Sequence, residues 1–168
     1  MTRKRSARTV MATAAATMAV TSSALITPPS AAAWWPFDAQ GPSIVKFGTR
    51  ADLVDGAGTI VQGWTAYDLK PSSDVIPCQV QGRLWEARAT DEAVRGSITP
   101  IIADMNARGP HGQSYRAIFT VALADGLSPA ILAQGQKTTG KLYFDVTGED
   151  PDGVVYNNLV QDLLIWVR

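Results

Sequence analysis

The chain is poor in the residues that most often mark chemistry. It holds one cysteine and one histidine in 168 residues, so Cys78 cannot close a disulfide within the chain and stability must come from packing. One thiol and one imidazole also fall short of a closed tetrahedral metal site unless carboxylates complete it. Phosphate-cradling glycine loops and N-x-[ST] sequons are missing. No G-x-S-x-G nucleophile elbow is present either: Gly112-Gln113-Ser114-Tyr115-Arg116 lacks the second glycine and leads into a strand pattern rather than a helix. Positive charge is scarce beyond the N-terminus. Residues 1–33 hold Arg3, Lys4, Arg5 and Arg8 and no acid, which leaves residues 34–168 with 11 of the 15 basic residues and all 15 acidic ones, net −4. That balance argues against nucleic acid as a partner.

What is present begins with an address. The basic cluster at Arg3 to Arg8 precedes an apolar stretch from Val10 to Ile26 softened by Thr and Ser, and Ala31-Ala32-Ala33 offers an A-x-A cleavage site; together they predict a cleaved signal peptide over residues 1–33. The stretch is too rich in Ala, Thr and Met for the roughly 20 strongly apolar residues of a stable anchor, so no membrane span is expected after cleavage. No cysteine follows it for lipidation, and the absence of an Arg-Arg pair favours general secretion. The expected location is extracellular, with association to the cell envelope left open. Residues 34–42 form an N-terminal aromatic and turn segment, in which Trp34, Trp35 and Phe37 are expected either to anchor in a membrane interface or partner pocket or, more often for such residues, to fold back over a sheet edge or remain disordered.

From residue 43 to 168 the pattern is that of strands, with no convincing helix. The clearest is 114–123, where Tyr115, Ala117, Phe119, Val121 and Leu123 fall on one face. In 141–147, Leu142, Phe144 and Val146 point inward and Lys141, Tyr143, Asp145 and Thr147 outward. Residues 163–167 are apolar on both faces and read as a strand covered on both sides. Less regular strands are expected near 43–47, 58–68, 79–89 and 97–105. Turn signals at Asp55-Gly56, 70–73, 109–112, Asp125-Gly126 and 148–153 separate them. Six to eight strands so spaced predict an all-β, immunoglobulin-like antiparallel β-sandwich in one domain, without the Cys…Trp…Cys pattern of antibody domains. Trp64, Trp85 and Trp166 are expected in its core.

The chemical candidates are few. His111, in the 109–112 turn, reads as a solvated histidine. Cys78, beside Pro77, reads as a small apolar residue, the alternative being an exposed thiol open to intermolecular bridging. Asp145, Glu149, Asp150 and Asp152 gather oxygen donors that could hold calcium, but only Asp150-x-Asp152-Gly153 matches the calcium-loop pattern and no closing Glu follows; an ordinary solvated turn is the preferred reading. Asp68, Glu86, Asp104 and Asp162 are acids of the kind a glycoside hydrolase pairs across a cleft, and spacing alone does not pair them. No catalytic, cofactor-binding or metal residue is assigned.

The wording along the chain nevertheless resembles a known family. Gly63-Trp64, Asp68-Leu69-Lys70, Ile76-Pro77, Gly82-x-Leu84-Trp85-Glu86-Ala87 and Arg95-Gly96-Ser97-x-Thr99-Pro100 are followed in order by Asn106-Ala107-Arg108, Tyr115-Arg116 and Gln134-Gly135. Thr139-Gly140-Lys141-x-Tyr143-Phe144-Asp145-Val146-Thr147-Gly148, Asn157-Asn158 and Asp162-Leu163-Leu164-Ile165-Trp166 complete the series. This order is similar to that of the mycobacterial secreted immunogenic proteins of the MPT sixty-three type, over residues 44 to 167. The resemblance implies a small exported actinobacterial antigen with an immunoglobulin-like sandwich and no assigned activity, and it supplies no catalytic residues. Cys78 and the acidic 149–152 turn depart from the family's pattern. The expected function is therefore a non-catalytic binding module that meets a protein, lipid or glycan at a host or envelope surface. The alternatives are a carboxylate-dependent envelope glycan hydrolase and a structural envelope protein.

Overall fold

The computed structural model describes residues 41–168; the expected signal peptide and the Trp34, Trp35 and Phe37 cluster lie outside the described residues. Nine strands form: β1 Ser43–Lys46, β2 Arg50–Val54, β3 Ile60–Pro71, β4 Arg83–Ala93, β5 Met105–Arg108, β6 Ser114–Arg116, β7 Lys137–Val146, β8 Gly153–Asn157 and β9 Asp162–Val167. The only helical element among the described residues is a 3₁₀ turn at Ile102–Asp104. One sheet runs β1-β9-β8-β5-β6 and the other β2-β3-β4-β7. No helix among the described residues is long and apolar enough to cross a membrane.

The two sheets close on a core drawn from their facing residues. Trp64, Ala66 and Leu69 of β3, Trp85, Ala87 and Ala89 of β4 and Leu142, Phe144 and Val146 of β7 meet Met105, Val154, Tyr156, Leu164 and Trp166 of the other sheet. All three expected core tryptophans are buried. Trp166 donates its indole N–H to the Thr49 carbonyl at 2.9 Å, tying β9 to the turn between β1 and β2 and giving a buried indole the partner it needs.

Several expectations needed correction. The regular alternation at 114–123 forms a sheet strand only over Ser114–Arg116. Ala117 still donates to Met105 of one sheet, but Ile118 donates to Tyr143 of the other, so the chain changes sheets and leaves Phe119 49% exposed. The 97–105 segment is a connection with a single bridge, Ile98 to Leu132. Residues 163–167 are a strand, yet only Leu164 and Trp166 are buried, because a two-layer sandwich puts no third layer over Leu163, Ile165 and Val167. The sheets are not wholly antiparallel: β1 runs parallel to β9, with Ser43 opposite Leu164.

Strand directions sort the connections onto two ends. Residues 47–49, 72–82, 109–113 and 147–152 leave one end. Residues 55–59, 94–104, 128–136 and 158–161, with the start of β1, leave the other. The two ends differ sharply in chemistry, as described below.

Candidate functional site

Antiparallel register places the charged residues of the four-stranded sheet on its outer face. Lys70 of β3 lies opposite Glu86 of β4, Glu86 opposite Tyr143 of β7, and Arg88 opposite Lys141. A register shift between Ala66 and Leu69 inserts an extra residue in β3, and such a bulge re-aims the neighbouring side chains; Asp68 thereby joins the same face. Along the free edge of β7 runs the 117–127 segment. Leu127 donates to the Lys141 carbonyl at 3.0 Å, and Lys141 N–H donates back to Asp125 at 2.8 Å. Gly140 makes this approach possible, since a Cβ there would collide with the backbone of Leu127. The edge is thus covered rather than left open to another strand.

Residues 72–82 form a strap over this face. Ser72 Oγ donates to Glu86 Oε2 at 2.6 Å, and Asp74 Oδ2 accepts from Lys141 Nζ at 2.5 Å and from Tyr143 Oη at 2.6 Å. The far end is pinned by Asp145, whose two oxygens accept the Gln81 and Gly82 N–H groups at 2.8 Å each. The strap buries Tyr143 although its side chain points away from the core. Lys141 also reaches Glu86 at 3.0 Å. These contacts hold Asp74 below the usual carboxylate range, chiefly through Lys141, and push Lys141 above the usual lysine value, chiefly through Asp74. Burial, then Asp74, raises the Tyr143 phenol.

Beside the strap lies an open polar cleft of about 470 Å³, lined by Asp68, Lys70, Glu86, Arg88, Asp125 and Lys141 among others. Glu86, buried at its floor, is already bonded to Ser72 and Lys141, with Lys70 at 3.8 Å. Asp68 pairs with Lys70 at 3.1 Å. Arg88 and Asp125 make no side-chain hydrogen bond or ion pair among the described residues and face the cleft with open valences. The arrangement offers fixed donors and acceptors to a polar ligand.

The hydrolase acids do not assemble. Asp68 and Glu86 share the cleft with a lysine beside both, whereas Asp104 ends the 3₁₀ turn before β5 and Asp162 opens β9 of the other sheet. Asp104 is raised by burial. Asp162 is clamped by the Arg108 guanidinium at 2.5 and 3.0 Å, which lowers it.

Three of the four acids at the acidic turn are likewise spoken for: Asp145 holds the strap, Glu149 accepts from His111 Nδ1 at 2.8 Å, and Asp150 pairs with Arg83, while Asp152 is exposed and makes no side-chain hydrogen bond or ion pair among the described residues. No cluster of three or more His, Cys, Asp or Glu side chains suited to a metal occurs among the described residues. His111 is exposed, as expected of a turn histidine, and Glu149 raises it. Cys78 sits half-buried in the strap.

Comparison with known proteins agrees with this architecture. Residues 42–166 match the family model of a domain of unknown function, DUF1942. Immunogenic protein MPB63 of Mycobacterium bovis and immunogenic protein MPT63 of Mycobacterium tuberculosis are each 42% identical over 159 residues, spanning 94% of this chain and 96% of the relative. The crystal structure of MPT63, described as a secreted protein from M. tuberculosis, superposes with a TM-score of 0.72 at 45% identity over 76% of this chain and 98% of that one. With a family model covering most of the sandwich and relatives matched nearly end to end, the chain belongs to the DUF1942 family, alongside the MPT63 and MPB63 immunogenic proteins.

Proposed function

We propose that the protein is an exported antigen that works as a non-catalytic binding module, with the cleft beside the strap as its ligand-receiving surface. Export and immunogenicity follow its relatives' names and agree with the basic, apolar and Ala-rich N-terminus. The observation that carries the binding reading is that the two acids standing together in the cleft, Glu86 and Asp68, are already paired. Glu86 and Asp68 are each tied to a cation, which stabilises charge rather than poising a proton for transfer. The side chains left open, Arg88 and Asp125, suit a polar ligand such as a glycan or a headgroup at the host or envelope surface.

The test is saturable binding of the exported protein to fractionated envelope glycans and lipids and to host-cell membranes, with Arg88→Ala and Asp125→Ala as cleft variants. Binding that weakens about tenfold in either variant supports the reading. Binding unchanged in both, or turnover of a glycan by the parent protein, overturns it.

A further inference from the structure

The charges of the cleft beside the strap come in balanced signs and are unequally used. Three cations, Lys70, Arg88 and Lys141, and three acids, Asp68, Glu86 and Asp125, line it. Four of the six engage one another: Lys70 meets Asp68 at 3.1 Å, and Lys141 meets Glu86 at 3.0 Å while also holding Asp74 of the strap at 2.5 Å. One charge of each sign is left. Arg88 and Asp125 are both exposed, and neither makes a side-chain hydrogen bond or ion pair among the described residues.

Register sets how far apart these two stand. Arg88 of β4 lies opposite Lys141 of β7, and Lys141 in turn bridges Gly126 on the segment that covers the β7 edge. Asp125, next to Gly126, is therefore two strand spacings from Arg88, about 10 Å between backbones, and the arginine side chain spans part of that gap. The backbone of Asp125 is set before any ligand arrives, because its carbonyl accepts the Lys141 N–H at 2.8 Å and Leu127 donates to the Lys141 carbonyl at 3.0 Å. Little backbone ordering is then left for binding to cost. The rest of the lining is small: Ala124, Gly126, Gly140 and Thr139, whose hydroxyl is bonded to that of Thr90 at 2.8 Å. No aromatic ring lines the cleft.

We propose that the cleft takes a small zwitterion, with a carboxylate or phosphate seated on the Arg88 guanidinium and a primary ammonium on the Asp125 carboxylate. This rests on the binding reading above and narrows it. The planar guanidinium donates to two oxygens of such an anion side by side. Asp125 offers acceptors only, so the cationic pole must bring N–H donors; a quaternary ammonium finds none of the aromatic faces that bind it elsewhere. A neutral sugar would leave both open charges without a counter-charge, which selects against it. A free amino acid and the phosphoethanolamine headgroup of a lipid share the chemistry that fits.

The test is NMR titration of the exported protein, read at the amides of Arg88, Asp125 and Thr139, with glycerophosphoethanolamine and with β-alanine, each beside its N-acetyl derivative, and with glycerophosphocholine. At least one of the two zwitterions should saturate the cleft with a Kd on the order of 1 mM and weaken about tenfold on acetylation, with glycerophosphocholine as weak as the acetylated forms. The tighter of the two assigns the source, lipid headgroup or free amino acid. Asp125→Asn should erase the preference for the free ammonium without weakening the acetylated forms, and Arg88→Gln should weaken every ligand, both at the parent's thermal midpoint. No preference for the free ammonium, or a preference that survives in Asp125→Asn, overturns the proposal. Saturable binding of a neutral glycan in the cleft with neither zwitterion bound also overturns it and leaves the binding reading standing, whereas no ligand of any kind overturns both.

Discussion

The two ends of the sandwich are built by the same strands, yet one is tied together by charge and the other is left bare and apolar. At the strap end, Asp74, Asp145, Glu149 and Asp150 each reach a cation or a backbone donor. At the far end, Val54, Ile60, Ile101, Ile131, Leu159 and Val160 meet solvent. Strand β4 shows the contrast within a single element. Near the strap, Glu86 is 8% exposed and is met by Ser72 and Lys141. Five residues on, Asp91 is wholly buried on the core face with one partner, Gln62 Nε2 at 2.7 Å, and its Oδ1 finds none. Burial of a carboxylate is offset at one end by pairing, whereas at the other desolvation raises Asp91 to about 6, so that it is relieved by protonation only below that pH.

This contrast can be broken first at Asp91. The folded state keeps its proton up to about pH 6, whereas the unfolded chain releases it near 3.8. The protonated carboxyl's contribution is therefore full below about pH 4 and gone above about pH 6. Asp91→Asn should stabilise the protein by on the order of 2 kcal/mol at pH 7 and by little at pH 3.5, read by urea melts across that range. At the strap end the sign reverses. Glu86→Ala removes the shared acceptor of Ser72 and Lys141 and should cost about 2 kcal/mol, with hydrogen exchange at 72–82 accelerating before the rest of the sheet. Smaller again, Leu159→Asn should add about 1 kcal/mol by relieving the left-handed backbone that Leu159 adopts at φ 71°. The smallest effect belongs to His111, whose NMR titration midpoint should lie above 6.5 and return toward it in Glu149→Gln.

Much of the fold was legible because period-2 alternation is local. The inward set Leu142, Phe144 and Val146 and the outward set Lys141, Tyr143 and Asp145 stand as their spacing implied. Failures came where a neighbour far along the chain decides the outcome. Nothing within 114–123 signals that Ile118 will leave one sheet for the other. Strand β8 was hidden because Val154, Val155 and Tyr156 are all buried, so no alternation marks them and the turn at 148–153 reads as continuing. The cleft was equally hidden: Lys70, Glu86 and Lys141 are brought together by the β3–β4–β7 register, which a single sequence does not display. Only their outward phase could have hinted at it. The apolar end is a collection of single exposed residues on separate loops, and it becomes a surface only when strand direction gathers them.

The most direct measurement is that comparison of Asp91→Asn with the parent protein across pH. The account predicts a clear gain in stability at pH 7 that shrinks to little at pH 3.5. An equal gain at both pH values, or none at pH 7, would contradict it.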